Sequence, residues 1–146
     1  MDRRDFMRSC GYACLSGIAI TTILQSCATG KIVSGTIDQS ELLVDLADFE
    51  QMKKKEQSFR KYIIVRNESL QFPLGIYRFS ETEYTALYLK CTHQGAELQV
   101  FGDKIQCPAH GSEFSNRGAV ESGPASEKLR EFPVRIDNKQ LKISLV

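Results

Sequence analysis

Histidine is scarce in this chain of 146 residues: there are two, His93 and His110, and each stands close to a cysteine. No imidazole is left over for a separate catalytic base or a second metal site. Cysteine is too sparse for a disulfide-stapled secreted domain. Of the five, Cys10 and Cys14 lie in an apolar N-terminal stretch, Cys27 ends it, and Cys91 and Cys107 neighbour the histidines, so no pair is free to cross-link. Long apolar runs are missing too. The charge-free segment from Gly11 to Leu24 has fourteen residues, about 21 Å as a helix against a hydrocarbon core about 30 Å thick. It is short for a permanent span. Nor does one sign of charge prevail: beyond residue 26 there are sixteen basic and sixteen acidic side chains. That balance excludes the basic field which broad nucleic-acid binding requires. Internal repeats and low-complexity stretches are absent, and no helical stripe is as clear as the alternating strand-like runs.

What is present is concentrated in two short clusters, Cys91-Thr-His93 and Cys107-Pro-Ala-His110, thirteen residues apart. Two thiolates and two imidazoles in that pattern can reach one centre from the tips of two neighbouring loops. They suit a two-iron, two-sulfide cluster, with Cys91 and Cys107 on one iron and His93 and His110 on the other. Neutral imidazoles in place of two thiolates make the site less negative, which raises its potential to roughly −150 to +300 mV, against about −400 mV for an all-cysteine plant-type cluster. The competing reading is structural zinc, since a Cys2His2 set also suits tetrahedral Zn²⁺. Zinc modules more often use C-x2-C and H-x3-5-H, so the C-x-H pair fits that habit poorly.

From about residue 84 to 146 the chain resembles the Rieske [2Fe–2S] family. Cys91-Thr-His93-Gln-Gly95-Ala96 and Cys107-Pro108-Ala-His110-Gly111-Ser112 follow its two cluster-binding loops, and Gly123-Pro124-Ala125 follows a third, proline-containing loop over the cluster. The resemblance implies one [2Fe–2S] cluster held by Cys91, His93, Cys107 and His110. It further implies that Ser112 donates a hydrogen bond to a bridging sulfide. Gly95 and Gly111 relieve strain near the ligands or serve the cluster directly; Pro124 shields it from water or merely ends a loop. Quinol-oxidising respiratory members carry a disulfide between the two loops, where this chain has Ala96 and Ala109. A tyrosine donor of high-potential members is replaced by Phe114, which is equally readable as core packing. The expectation is a midpoint below the highest in the family. A Rieske oxygenase needs a further iron in a two-His, one-carboxylate triad, and with both histidines engaged this chain cannot supply one.

The N-terminus reads as an address. Arg3-Arg4-Asp5-Phe6-Met7-Arg8 precedes the apolar segment, a basic region followed by a hydrophobic one, and resembles a twin-arginine export signal for folded proteins. Leu24-Gln-Ser26-Cys27 resembles a lipobox, with Cys27 the lipidated residue; an uncleaved anchor helix is the alternative. The expected organisation is a signal or anchor over 1–26, a tether over 27–39 and a Rieske domain over 40–146.

Within the domain, β-branched and aromatic runs predict strands at Leu42–Leu46, Tyr62–Val65, Ile76–Phe79, Thr85–Lys90, Glu97–Phe101, Lys104–Gln106, Val134–Ile136 and Leu141–Leu145. Gly102-Asp103 predicts a two-residue hairpin whose register sets the spacing of the two ligand pairs; Asp137-Asn138 predicts another. Residues 50–60 read as a short exposed helix or a loop. Lys53-Lys54-Lys55 reads as a solvated run, or as a contact with anionic lipid or a redox partner. The fold class implied is all-β: a small antiparallel sandwich or barrel of Rieske type with a cluster-binding subdomain.

Three functions remain open. The first is a membrane-anchored electron carrier in a quinol-oxidising respiratory chain, with a cytochrome b- or c-type partner and its cluster on the extracytoplasmic side. The second is a ferredoxin-like donor or small subunit of another oxidoreductase, and the third a zinc module. In the first two the chain is an electron-transfer component, not a stand-alone enzyme. Reduction should raise the pKa of a bound imidazole by like-charge reasoning, giving a slope of about 59 mV per pH unit where one proton accompanies one electron.

Overall fold

A computed structural model describes residues 30–146. The export motif, the lipobox with Cys27, and Cys10 and Cys14 lie outside the described residues. The described residues form fifteen short strands and one 3-10 turn, Leu46–Phe49. A central sheet of order β1-β6-β7-β8-β13 is built from β1 (Lys31–Ser34), β6 (Tyr62–Arg66), β7 (Leu74–Arg78), β8 (Tyr84–Tyr88) and β13 (Glu131–Phe132). The base sheet runs β14-β15-β3-β2, from β2 (Thr36–Asp38), β3 (Glu41–Asp45), β14 (Val134–Asp137) and β15 (Gln140–Ser144). The third sheet runs β12-β11-β10-β9, from β9 (Gln99–Phe101), β10 (Lys104–Gln106), β11 (Glu113–Ser115) and β12 (Val120–Ser122). β4 (Glu50–Lys53) and β5 (Glu56–Phe59) pair only with each other, as a ribbon. Every pairing is antiparallel except that of β1 with β6.

The central strands are apolar on both faces because both faces are covered. Side chains alternate along a strand: Ile63, Val65, Leu74, Ile76 and Ala86 join Leu42, Val44, Leu141 and Ile143 of the base sheet in one core. Tyr62, Tyr77, Leu87 and Leu89 face the opposite way, toward Ile105 and Phe114, in a second core. The second core also contains Cys91 and Cys107. A sheet sandwiched in this way reads as continuous hydrophobic runs, which is why YIIV and YTALY stand out in the sequence. Phe114 is fully buried, so it packs the core.

Three expectations need correction. The tether expected up to residue 39 is ordered: residues 31–38 supply β1 and β2, with Val33 and Ile37 packed on the first core. Gly35 conceals this by looking like linker, yet a Cβ there would lie 2.6 Å from Leu42 and 2.7 Å from Val65. Residues 50–60 are neither helix nor loop but the β4–β5 ribbon. Its turn places Lys54 and Lys55 at φ +52° and +70°, where a glycine or asparagine signal would be expected. The last hairpin turns on Asn138 and Lys139, φ +46° and +67°, one residue beyond the prediction, because Asp137 still pairs with Gln140.

Candidate metal centre

The Gly102-Asp103 hairpin forms as predicted, with Phe101 opposite Lys104 and Gly102 at φ +63°. It holds β9 and β10 in register, and one of the two candidate ligand loops lies at the far end of each. The first is rooted by an isolated bridge from Lys90 to Glu97; the second leaves β10 after Gln106.

The two loops share one backbone pattern. Cys91 N–H donates to Ala96 C=O at 2.8 Å and Gly95 N–H to Cys91 C=O at 2.8 Å. Likewise Cys107 N–H donates to Ser112 C=O at 2.8 Å and Gly111 N–H to Cys107 C=O at 3.0 Å. Gly95 and Gly111 both sit at φ +76°, a left-handed conformation that strains residues with a Cβ. Each loop thereby folds back on its cysteine.

Both cysteines are buried, 2% and 3% exposed, while His93 and His110 are exposed. The imidazoles meet edge to face, ring centroids 5.1 Å apart and planes at 87°. The thiols also meet. Burial would raise the Cys107 pKa, but the backbone N–H of Ala109, the Cys91 thiol and the backbone N–H of His110 hydrogen-bond to its sulfur and bring it below the ordinary thiol value. Donors aimed at a sulfur favour the thiolate, which is the metal-binding form. Among the described residues, no three His, Cys, Asp or Glu side chains gather round one point as a single ion would require. The donors come instead as a thiol pair and an imidazole pair, an arrangement that fits a two-iron cluster.

A third segment closes over both loops. Ala125 N–H donates to Ser112 Oγ at 3.1 Å, and Thr92 Oγ1 donates to the Glu127 carbonyl at 2.7 Å. Because the Ser112 oxygen accepts from Ala125, its own hydrogen remains available for donation. Gly123 is where this segment presses hardest: a Cβ there would lie 2.5 Å from Ser112 Cα and 2.8 Å from the Gly111 oxygen. Pro124 is exposed and Ala125 buried. Thr92 gives no sign in the sequence, since its partner is 35 residues away. Lys90 and Arg130 carry no sequence signal either; with Tyr88, His93 and Glu127 they line a shallow cleft beside the first loop.

Layered short strands ending in twin ligand loops define a small all-β metal-binding domain of the iron–sulfur kind. The Rieske [2Fe-2S] domain model matches residues 44–133, and the chain belongs to that family; its cofactor is a [2Fe–2S] cluster and its chemistry electron transfer. The cytochrome b6-f complex iron-sulfur subunit 2 of Nostoc sp. strain PCC 7120 is 31% identical over 85 residues, 57% of this chain. The match spans 42% of that relative's length. Among solved structures, the plasma membrane Rieske protein PetC3 of Synechocystis PCC 6803 shares the fold at TM-score 0.50 and 22% identity, over 57% of this chain and 86% of that one. A chain from a complex of oxygenase and ferredoxin in carbazole 1,9a-dioxygenase aligns at TM-score 0.53 and 25% identity, over 74% of this chain and 95% of its own.

Proposed function

We propose that this Rieske protein is a membrane-anchored, one-electron carrier which takes electrons from a quinol and passes them to a cytochrome-type partner on the extracytoplasmic side. In this reading Cys91 and Cys107 hold one iron and His93 and His110 the other. The cluster supplies a one-electron acceptor of raised potential. The carrying observation is the split in burial, with both thiols in the core and both imidazoles at the surface.

The protein's own residues divide the work. His93 and His110 are exposed, so the ring nitrogens left over from iron binding would be open to a hydrogen bond from a quinol hydroxyl. Lys90 and Arg130 flank His93 and favour an anionic or electron-rich group on the partner. Ala125, Leu129 and the Gly123 turn exclude water from the cysteine side. Support for the quinol reading comes from the b6-f relatives and from the Arg3-Arg4 and Leu24–Cys27 motifs, which are consistent with export and lipid attachment at Cys27. Among the described residues, no helix is long and apolar enough to cross a membrane, so anchoring would fall to residues 1–29.

A second reading, a ferredoxin-like donor, is favoured by Ala96 and Ala109, which leave no disulfide between the ligand loops. Anaerobic addition of a quinol to the oxidised holoprotein, in membranes and after detergent extraction, separates the two. Bleaching of the cluster absorption by quinol, with a cytochrome b co-purifying, is expected. Failure of quinol, with rapid reduction by a flavin-dependent reductase, would transfer the assignment to the donor reading.

A further inference from the structure

We propose that the β4–β5 ribbon is a bilayer contact, laying Lys53, Lys54 and Lys55 on anionic lipid headgroups with Met52 entering the interface beside them. The inference rests on the anchoring reading above and adds a second point of attachment to it.

The ribbon is a separate two-stranded sheet, so its turn stands clear of the three packed layers. Met52 is 73% exposed, the largest apolar exposure of any residue but the C-terminal Val146 among the exposed large hydrophobics. Lys53, Lys54 and Lys55 are exposed and, among the described residues, enter no ion pair, whereas Lys31, Lys61, Lys104 and Lys142 all do. Lys54 and Lys55 hold left-handed backbone conformations that glycine or asparagine adopt with less strain. Such a turn presents two adjacent cations at its apex. A short polycationic tip with one flexible apolar side chain matches the chemistry of an anionic membrane surface, which attracts each cation without demanding a shaped pocket.

Position supplies the independent argument. Gly30 lies against the Tyr62 ring, Lys31 Nζ pairs with Asp48 at 2.7 Å, and Lys31 is in register with Ile63. Residues 30 and 31 therefore lie at the ribbon's base, where Asp48 and Phe49 lead into β4. The ligand loops occupy the opposite end. Lys61 pairs with Asp103 at the hairpin turn, and Cys107 follows at the other end of β10, about 13 Å along at 3.3 Å per residue. A ribbon resting on the bilayer would hold the cluster end toward a cytochrome-type partner in the aqueous phase, and meeting a bilayer quinol would require the domain to swing off the lipid.

The test uses the full-length, cluster-loaded protein mixed with vesicles of pure phosphatidylcholine or of phosphatidylcholine with phosphatidylglycerol, followed by flotation and lysine acetylation mapped by mass spectrometry. Lys128 and Lys139, exposed elsewhere, serve as internal references. Labelling of Lys53–Lys55 is expected to drop at least about fivefold on the anionic vesicles, the worth of one lysine near such a surface, and to recover in 0.5 M salt. The Lys54→Gln/Lys55→Gln double variant should float less with anionic vesicles yet keep its cluster absorption. Flotation with both vesicle types and equal labelling on each would overturn the ribbon contact while leaving the anchor standing. Flotation with neither would remove both. Protection seen in native membranes but not on the anionic vesicles would assign the ribbon to a protein partner and overturn the lipid contact.

Discussion

The two faces of the central sheet are covered by layers of opposite character. On one side four strands of three to five residues bring Leu42, Val44, Leu141 and Ile143 into a core with no polar or sulfur atom among its buried members. On the other, four strands of three residues each share their core with Cys91, Cys107 and two tyrosines. The first layer holds itself in place by apolar burial, about 1.5–3 kcal/mol for each large side chain. The second contributes fewer buried side chains of its own, Ile105 and Phe114, and leans on the two candidate ligand loops and on the segment stitched across them. Stability and redox chemistry are thus assigned to different sides of one sheet.

That division can be broken by experiment. Cys107→Ser should abolish nearly all of the visible cluster absorption and the EPR signal of the reduced protein, while amide exchange in β3 and β15 stays slow. Collapse of β3 and β15 as well would show the two sides to be one cooperative unit. Leu141→Ala, on the apolar side, should cost about 2–5 kcal/mol in denaturant unfolding with cluster content per folded molecule unchanged; a loss of cluster at low denaturant would contradict the separation. Gly123→Ala forces a Cβ into Ser112 from a backbone at φ +92°. It should lower stability by about 1–3 kcal/mol and, unlike Leu141→Ala, speed the bleaching of the cluster in air.

Smaller effects sharpen the same contrast. Ser112→Ala removes a hydroxyl whose hydrogen is free to stabilise the reduced state. A hydrogen bond of about 0.5–1.5 kcal/mol corresponds to a midpoint about 20–65 mV lower in a one-electron titration, and an unchanged potential would confine Ser112 to supporting Ala125. On the far side, the Lys142 ammonium, 2.6 Å away, holds the Asp137 carboxyl below the usual carboxylate range, with Arg135 adding less. A depressed carboxylate stabilises the fold above its unfolded pKa, and that contribution fades as pH falls through its folded value. Lys142→Gln should therefore raise the Asp137 pKa, read by NMR titration, and remove that small contribution from unfolding at neutral pH while leaving stability in acid, where the carboxyl is protonated, unchanged.

The cluster side was legible in the sequence because its chemistry is written locally. Each candidate ligand pair spans three or four residues, and Gly102-Asp103 announces the turn that aligns them. The buried strands of the central sheet were equally plain, being apolar on both faces. What stayed hidden was structure held by partners distant in sequence. β1 depends on β6, whose register partners lie thirty-two residues on, and the residues of β2 look like linker until Ile37 is seen packed on the core. The ribbon lacks a buried face, so neither of its strands alternates, and lysines occupy the turn where glycine would have flagged it. β11 and β12 are three residues each with a register shift between Glu113 and Phe114, too short and irregular to show a period. The stitching of Thr92 to Glu127 and of Ser112 to Ala125 joins residues that no short motif links.

With both cysteines buried and both imidazoles exposed, a cluster held between them would meet the outside at its histidines. Tunnelling favours the shortest path, so in the proposed assignment the group that delivers an electron and the group that removes it would share that one threshold. Donor and acceptor would then take turns, and either the protein or its partners would travel between the two appointments.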